Sequence, residues 1–230
     1  MKNLVIFSGA GMSAESGIST FRDSGGLWEQ YKIEEVATPQ AWKHDPQKVQ
    51  TFYNQRRKQI MEAKPNPAHQ LIANMEADFD VQIITQNIDD LHERAGSSKV
   101  MHLHGNITYS KSSGPNQEKA YYPINGWELK LSDFCPDGYP LRPHVVWFGE
   151  AVPMMEKATE LIVEADVLIV IGTSLQVYPA AGLVHAASKK CEKFIIDPGL
   201  NKNDVPEDFT LIQKTASEGL LYVKEHLLTL

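Results

Sequence analysis

The sequence predicts an α/β protein built on a doubly wound parallel sheet, and three observations point to this class. Short apolar runs of strand length recur along the chain, and several are apolar at nearly every position, as in strands covered on both faces. Stretches with helical patterning lie between some of these runs. The first run leads directly into a glycine-rich turn, as expected where a strand meets a helix in such a sheet.

The elements can be placed in order along the chain. The apolar runs predict strands at 4–7, 81–85, 100–103, 145–148, 167–171 and 194–196. Asn66 and Pro67 predict a helix start, because asparagine is a favoured N-cap and proline a favoured first helical residue. Leu71, Ile72 and Met75 give that helix one apolar face. Further helices are predicted at 154–165, 180–189 and 217–228.

Two stretches interrupt this alternation and predict a smaller second module. Residues 24–65 hold scattered aromatic residues and a basic cluster, and their pattern indicates helices. Residues 106–144 are polar and rich in Gly, Pro, Asn and Ser. We therefore expect a single domain of 230 residues. Its sheet part comprises 1–23, 66–105 and 145–230, and its small module comprises 24–65 and 106–144.

Composition and charge exclude several classes of protein. Hydrophobic residues make up 42% and charged residues 22%, which is ordinary for a globular domain. The net charge of −7 argues against a surface that follows nucleic-acid phosphates. No apolar run approaches the length of a membrane span or of a signal peptide core. We expect a cytoplasmic protein that binds neither nucleic acid nor membrane.

The turn after the first strand carries the pattern G-x-G-x-x-A in Gly9, Gly11 and Ala14. Glycines let the backbone approach a pyrophosphate, and the start of a helix presents unpaired N–H groups to it. The same pattern also occurs in ordinary tight turns. The acidic residue expected about 20 positions further on would fall in the first insertion, so the usual ribose contact is not readable.

Longer sequence motifs, one around this turn and four later in the chain, indicate a particular family of dinucleotide-binding proteins. Together they resemble the sirtuin family of NAD-dependent protein lysine deacylases, in the family's order and over nearly the whole chain. The resemblance implies a Rossmann-type domain that binds NAD in a cleft beneath the smaller module. The strings are GAGMSAESGISTFR at 9–22, TQNIDDLH at 85–92, LHG at 103–105, VVWFGE at 145–150, and GTSL at 172–175 with VYP at 177–179.

The resemblance implies a set of NAD-binding residues. Asn87 contacts the ribose, Ile88 with Asp89 holds the nicotinamide carboxamide, and Phe21 and Arg22 close over the cofactor and exclude water. Without the resemblance, the polar loop residues would be assigned to local turn bonding. The full set is Gly9, Ala10, Gly11, Ala14, Phe21, Arg22, Trp28, Gln86, Asn87, Ile88, Asp89, Gly172, Thr173, Ser174, Asp197 and Ala216.

The catalytic residues implied by the resemblance are His104 and Asn87. The acyl-lysine oxygen attacks the ribose carbon as nicotinamide leaves, and His104 takes a proton from a ribose hydroxyl. A neutral imidazole suits this role because the ordinary histidine pKa is about 6.5. His102 lies on the same face if the strand continues, so a pair of metal ligands is the alternative interpretation. Many sirtuins carry a carboxylate at that position.

This chain departs from the family at the structural zinc site, which most sirtuins build from two CxxC pairs. Cys135 is followed by Gly138 where the second cysteine of a pair would stand, and 109–113 contains no cysteine. One thiolate cannot make a four-ligand site, so we expect no structural zinc. An apolar substitute is predicted from Tyr121, Tyr122, Ile124, Trp127, Leu129, Leu131 and Phe134.

Tyr53 and Arg56 are three apart on a helix predicted at 51–61, so they share a face. From the residues alone, a solvated basic face is the simpler interpretation, because Arg57 and Lys58 adjoin. The sirtuin class that removes succinyl and malonyl groups carries a Tyr and an Arg at this spacing and a small residue matching Ala37. The resemblance therefore implies a desuccinylase or demalonylase with weaker deacetylase activity.

The acylated lysine is expected to enter between 145–150 and 176–178, where a peptide would add as a strand. The resemblance places Val146 and Phe148 along its channel. Two other functions stay open: an NAD glycohydrolase or ADP-ribosyltransferase, and a non-catalytic NAD sensor. The joint presence of Asn87, Asp89 and His104 favours the deacylase.

Overall fold

The computed structural model describes residues 1–19, 31–173 and 175–229. The strands are β1 (Asn3–Ser8), β2 (Asp80–Thr85), β3 (Val100–His102), β4 (Gly105–Ser112), β5 (Tyr121–Pro123), β6 (Leu141–Val145), β7 (Val167–Ile171), β8 (Glu192–Ile196) and β9 (Thr210–Ile212). The helices are α1 (Ile33–Val36), α2 (Pro39–His44), α3 (Pro46–Glu62), α4 (Pro67–Met75), α5 (Leu91–Arg94), α6 (Met155–Val163) and α7 (Ala216–Leu228). Within these ranges no helix is long and apolar enough to cross a membrane.

A parallel sheet forms the centre of the molecule, with the strand order β3-β2-β1-β7-β8-β9. Every neighbouring pair in it is parallel. If these strands are numbered along the chain, the order is that of the Rossmann dinucleotide-binding fold, and the direction of winding reverses between β1 and β7. The predicted α/β class is confirmed.

Both faces of this sheet are covered, which explains the continuous apolar runs in the sequence. Along β1, Leu4 and Ile6 pack on one face with residues of α4 and α7. Val5 and Phe7 pack on the other face with residues of α6. Because side chains alternate across a strand, a strand buried on both sides needs an apolar residue at every position.

The predicted helix starts are confirmed where a capping residue marks them. The Asn66 side chain accepts hydrogen bonds from the backbone N–H groups of Ala68 and His69, directly before α4. The helix predicted at 180–189 is wrong in type and length, because Ala180–Ala186 forms a 3₁₀ helix. Gly182 lies in its middle, and glycine disfavours a regular α-helix by about 1 kcal/mol.

A second, antiparallel sheet has the order β5-β4-β6 and comes mostly from the second predicted insertion. The first insertion supplies α1 to α3, and α3 packs against this sheet. Arg57 of α3 donates from Nε to the Ile107 carbonyl at 2.7 Å, and Asn54 exchanges hydrogen bonds with the Leu129 backbone. The two insertions therefore contact each other, while the proposed module boundaries stay a prediction.

The strand predicted at 145–148 is wrong, because β6 ends at Val145 and belongs to the antiparallel sheet. The next three backbone N–H groups bind three unrelated acceptors, so no ladder can form. Val146 donates to the His104 carbonyl, Trp147 to the Glu150 carboxylate, and Phe148 to the Ala37 carbonyl.

The apolar substitute for the zinc site is only partly as predicted. Leu129 is buried in a small cluster with Cys135 and Leu141, and Tyr122 and Ile124 pack against it. Tyr121, Trp127 and Phe134 are exposed, so they contribute little burial there. The described residues contain no group of three or more His, Cys, Asp or Glu side chains that could hold a metal ion. The absence of zinc stays a prediction.

Candidate active site

The carboxyl ends of β1, β2 and β7 carry three loops that meet at the winding reversal of the parallel sheet. The N–H of Gly9 donates to the Ile171 carbonyl at 3.0 Å, and that of Gly11 to the Gly172 carbonyl at 2.8 Å. Gln86 Nε2 donates to Thr173 Oγ1 at 3.2 Å, which ties in the loop after β2. Ligands of open α/β sheets bind at this place.

The glycines of this site allow the loop after β1 and the loop after β7 to pack closely against each other. A Cβ on Gly11 would lie 2.8 Å from the Gly172 Cα, and one on Gly172 would lie 2.1 Å from the Met12 backbone nitrogen. Gly172 also has a φ of 64°, which a side chain disfavours. The backbone N–H groups of Gly9, Ala10 and Gly11 are the ones expected to face a pyrophosphate. Among the described residues, only the N–H of Ala10 has no acceptor. The phosphate role of the loop stays a prediction.

Asn87, in the loop after β2, is fixed by four groups. Its amide nitrogen donates to the Gly9 carbonyl at 3.0 Å and to Ser13 Oγ at 3.1 Å. Its backbone N–H donates to Thr85 Oγ1 at 3.0 Å, and its own carbonyl lies 3.0 Å from His102 Nδ1. Because both amide protons are used, the Oδ1 atom is the part of Asn87 left to accept from a hydroxyl group.

Ser13 is a site residue that the sequence reasoning missed. Its hydroxyl accepts from Asn87 and donates to the Asp89 carboxylate at 2.9 Å. Asp89 also accepts from the Leu91 backbone N–H at 3.2 Å, and burial raises the pKa of its carboxyl group. The available signal was a serine between Gly11 and Ala14, at the turn that faces the Asn87 loop.

His104 follows β3 in a turn, with its Nδ1 atom 2.9 Å from the Gln86 carbonyl. A carbonyl can only accept, so Nδ1 carries the proton and Nε2 keeps its lone pair. Burial lowers the pKa of His104, and the hydrogen bond to Gln86 opposes that shift in part. The ring is therefore neutral at neutral pH, with Nε2 available as a base.

The alternative interpretation of His102 and His104 as a pair of metal ligands depended on one continuous strand, which the structure does not form. β3 ends at His102, and His104 lies in the turn that follows. Each ring bonds to a different backbone carbonyl, His102 to Asn87 and His104 to Gln86. The two rings therefore do not act as a shared pair of ligands here.

Tyr53 lies on α3 with a side chain that is only 2% exposed. Trp147 Nε1 donates to its hydroxyl oxygen at 3.1 Å. The guanidinium of Arg142 stacks 3.5 Å from the Trp147 ring centre and binds both carboxylate oxygens of Glu150 at 2.8 Å. Burial raises the pKa of Tyr53, so the hydroxyl keeps its proton.

The basic cluster on α3 is not the solvated face that the residues alone suggested. Lys58 is exposed, whereas Arg56 is 8% and Arg57 1% exposed. Arg57 donates to two backbone carbonyls and to Asn54, which makes it a structural link. Arg56 donates to the Ser19 carbonyl at 3.0 Å, and no carboxylate of the described residues pairs with it. Burial lowers its pKa, and the charge of the Asp89 carboxylate opposes that shift only in part.

The other residues expected to bind the acyl chain lie close to Tyr53. Ala37 is buried in the same cluster as Tyr53 and Trp147, and its carbonyl accepts the Phe148 N–H at 3.0 Å. Val146 donates its N–H to the His104 carbonyl at 2.9 Å. Phe148 is 45% exposed, beside the predicted peptide entrance. Neither 145–150 beyond β6 nor 176–178 forms a strand.

The outlying predicted cofactor residues lie along the same edge of the sheet. Asp197 follows β8 and accepts the Gly199 N–H at 2.8 Å. Ala216 begins α7, and the next residue, Ser217, donates its N–H to Glu15 at 2.9 Å. The carbonyl of Ile88 accepts the Ile107 N–H at 2.8 Å, between the two sheets. Phe21, Arg22, Trp28 and Ser174 lie outside the described residues.

The fold and the site define a Rossmann-type α/β protein with a neutral histidine and an anchored asparagine at the winding reversal of its sheet. Residues 9–179 match the Sir2 family. A protein of Bacteroides thetaiotaomicron named NAD-dependent protein deacylase is 50% identical over 232 residues, covering 99% of each chain. The chain belongs to the Sir2 family.

Two solved structures are similar to this chain over nearly its whole length. A Sir2 homologue in complex with NAD has a TM-score of 0.86 and 39% identity, covering 98% of this chain and 89% of that one. A mutant Sir2 homologue in complex with 2′-O-acetyl ADP ribose has a TM-score of 0.87 and 38% identity, covering 98% of this chain and 92% of that one.

Proposed function

We propose that this Sir2 family member is an NAD-dependent protein-lysine deacylase that prefers acyl groups ending in a carboxylate. Deacylation and NAD dependence are what the name of the Bacteroides relative states. The products would be free lysine, nicotinamide and an O-acyl-ADP-ribose. A cytoplasmic location stays a prediction. The observation that carries the acyl preference is a buried cation, Arg56, without a carboxylate partner among the described residues.

The residues present fit NAD. Glycines let the loops at the winding reversal of the Rossmann sheet pack closely against each other, at the place where such sheets bind nucleotides. There, Asn87 Oδ1 is left to accept a hydrogen bond from a ribose hydroxyl. Asp89, which is linked to Asn87 through the Ser13 hydroxyl, would hold the nicotinamide carboxamide. Bound NAD supplies the electrophilic ribose carbon that receives the acyl oxygen.

His104 has the tautomer that the reaction needs. Its Nδ1 proton is committed to the Gln86 carbonyl, so Nε2 is free to take a proton from a ribose hydroxyl. The Val146 N–H holds the His104 carbonyl, which couples the base to the segment that lines the acyl channel.

The acyl preference rests on the hydrogen-bonding state of Tyr53 as well as on Arg56. The Trp147 indole N–H occupies the Tyr53 oxygen, so the Tyr53 hydroxyl proton must point elsewhere and can be donated. A carboxylate at the end of the acyl chain offers acceptors for both Tyr53 and Arg56. Such charge-assisted hydrogen bonds contribute about 1.5–3 kcal/mol each. An acetyl group has no atoms to use them.

One experiment separates the candidate functions. The purified chain is incubated with NAD and with matched acetyl-, malonyl- and succinyl-lysine peptides, and the products are identified by mass. O-acyl-ADP-ribose with faster turnover of the acidic peptides supports the proposal. Plain ADP-ribose indicates a glycohydrolase, ADP-ribosylated protein a transferase, and unchanged NAD a sensor. Deacylation with a clear acetyl preference would keep the deacylase and overturn the specificity.

A further inference from the structure

His102 is bound at both of its ring nitrogens, directly behind the catalytic loop. Its Nδ1 atom lies 3.0 Å from the Asn87 carbonyl oxygen, and its Nε2 atom lies 2.7 Å from Glu93 Oε1 on α5. The side chain of His102 is 10% exposed, and that of Glu93 is 39% exposed. The ring therefore bridges the end of β3, the loop after β2 and a helix.

Both partners of the ring are hydrogen-bond acceptors. A backbone carbonyl has no proton to give, and neither has an ionised carboxylate, whose pKa the neighbouring His102 lowers. Each ring nitrogen must then donate, so the ring is an imidazolium. The Asn106 amide nitrogen, a donor, also lies 3.3 Å from Nε2 and would suit an unprotonated Nε2, but the Glu93 carboxylate is closer at 2.7 Å and favours the protonated atom.

The two histidines of this region hold consecutive carbonyls of one loop. His104 binds the Gln86 carbonyl at 2.9 Å, and His102 binds the Asn87 carbonyl at 3.0 Å. The amide of Asn87 is in turn bound to Gly9 and Ser13, with only Oδ1 left for a ribose hydroxyl. A shift of the Asn87 backbone would move that oxygen, and small misplacements of a reacting group cost large factors in rate.

We propose that His102 is a positioning residue for deacylation, a charged ring that ties the Asn87 backbone to Glu93 and so fixes the Asn87 side chain in the cleft. In this pair His102 supplies the cation and Glu93 supplies the carboxylate. The proposal rests on the deacylase activity proposed above and is independent of the acyl preference.

The electrostatic surroundings of the ring favour its charged form. Glu93 and Asp89 raise the pKa of His102 against the opposing effect of burial. Burial lowers the pKa of His92 and of His144, and the charge of His102 lowers both further, so both rings stay neutral. The pKa of His102 lies above its ordinary value of 6.5, so the bond to Glu93 is complete below that pH and is lost as pH rises through the raised pKa.

The test compares His102→Gln with a matched control. His226 on α7 makes the same kind of pair with Glu192 at 2.9 Å, far from the cleft, so His226→Gln removes a histidine–glutamate pair without touching Asn87. We expect His102→Gln to lower kcat about tenfold or more for acetyl and succinyl peptides alike, and His226→Gln to leave kcat unchanged. Equal kcat for His102→Gln and wild type would overturn the proposal.

Two further measurements keep the test independent of folding and of activity. Glu93→Gln leaves the Nδ1 bond in place, so at low pH its kcat should stay near the wild-type value. As the pH is raised, this variant should lose activity at a lower pH than wild type does. Nitrogen NMR of wild type without substrate should show both ring nitrogens of His102 protonated at a pH below 6.5, the ordinary pKa of histidine. A bare Nε2 in that spectrum, or an unmoved alkaline limb in Glu93→Gln, would contradict the charged clamp even if deacylation is confirmed.

Discussion

The two sides of the proposed active site, a nucleotide side and an acyl side, are built from different parts of the chain. The nucleotide side consists of loops at the ends of parallel strands, where backbone groups and small residues such as Gly11, Gly172 and Ser13 make the contacts. The acyl side consists of large side chains on α3 and after β6, where Tyr53, Arg56 and Trp147 are buried together or side by side.

This difference explains what each side can discriminate. A site built from backbone groups needs closely packed loops and tolerates few substitutions. It therefore suits a ligand, such as NAD, that is the same in every reaction. A side-chain site can change its charge and width by one substitution without disturbing the sheet. Substitutions on the nucleotide side should therefore affect every acyl substrate equally, and those on the acyl side should affect one class more than another.

The largest effect is expected from His104→Ala, which removes the proposed base that both sides share. Loss of a general base typically lowers the rate by about 10²–10⁴-fold. Turnover at saturating NAD should fall by this factor for acetyl and succinyl peptides alike. Turnover at the wild-type rate would remove His104 from the mechanism.

Gly172→Ala tests the backbone-built side. The new Cβ would lie 2.1 Å from the Met12 nitrogen, at a residue with a φ of 64°. We expect about a tenfold or larger loss with all acyl peptides and a higher KM for NAD, together with a lower melting temperature. Gly126→Ala is the control, because its φ is 82° and nothing lies within 4 Å of its Cβ. Equal behaviour of the two variants would show that loop packing is irrelevant.

The pH profile tests the protonation state of the shared base. Because burial lowers the pKa of His104 below 6.5, the neutral base should persist into mildly acidic solution. The value of kcat/KM should fall about tenfold per pH unit only once the pH drops below that lowered pKa. An acidic limb that begins above pH 6.5 would contradict the buried, carbonyl-bound ring.

The smallest effect is expected from Trp147→Phe, which keeps an aromatic ring against Arg142 but removes the N–H that holds Tyr53. A neutral hydrogen bond contributes about 0.5–1.5 kcal/mol, so desuccinylation should fall about 2- to 10-fold. Deacetylation should change less. Trp42→Phe, at the neighbouring ring 5.8 Å away, is the control. A larger loss for acetyl than for succinyl peptide would separate Trp147 from acyl recognition.

The sequence predicts the parallel sheet well because burial on both faces leaves a continuous apolar signal, as in β7. It predicts α4 because Asn66 and Pro67 mark the start locally. It misplaces the strand near Val145, because Trp147 is buried by packing after β6 while the N–H groups of 146–148 bind scattered acceptors. Ser13 was missed because its role depends on Asn87, which lies far away along the chain.

On the acyl side, too, the sequence pattern cannot predict roles that depend on contacts between distant residues. Arg56 and Arg57 are indistinguishable by type and spacing, and the structure separates them by their partners. Arg57 is satisfied by backbone carbonyls and Asn54, whereas Arg56 keeps donors that no described carboxylate uses. Only the resemblance to an acyl-specific class selected Arg56 in advance, since the residue pattern alone favoured a solvated surface.

The most direct test of the acyl side compares Arg56→Met with Lys58→Met, which removes a neighbouring but exposed cation from α3. The measured quantity is the ratio of kcat/KM for succinyl peptide to kcat/KM for acetyl peptide, at the same NAD concentration. We predict a wild-type ratio above one, unchanged in Lys58→Met and reduced about 10- to 100-fold in Arg56→Met. Equal losses on both peptides in Arg56→Met, or a wild type that prefers acetyl-lysine, would contradict the account.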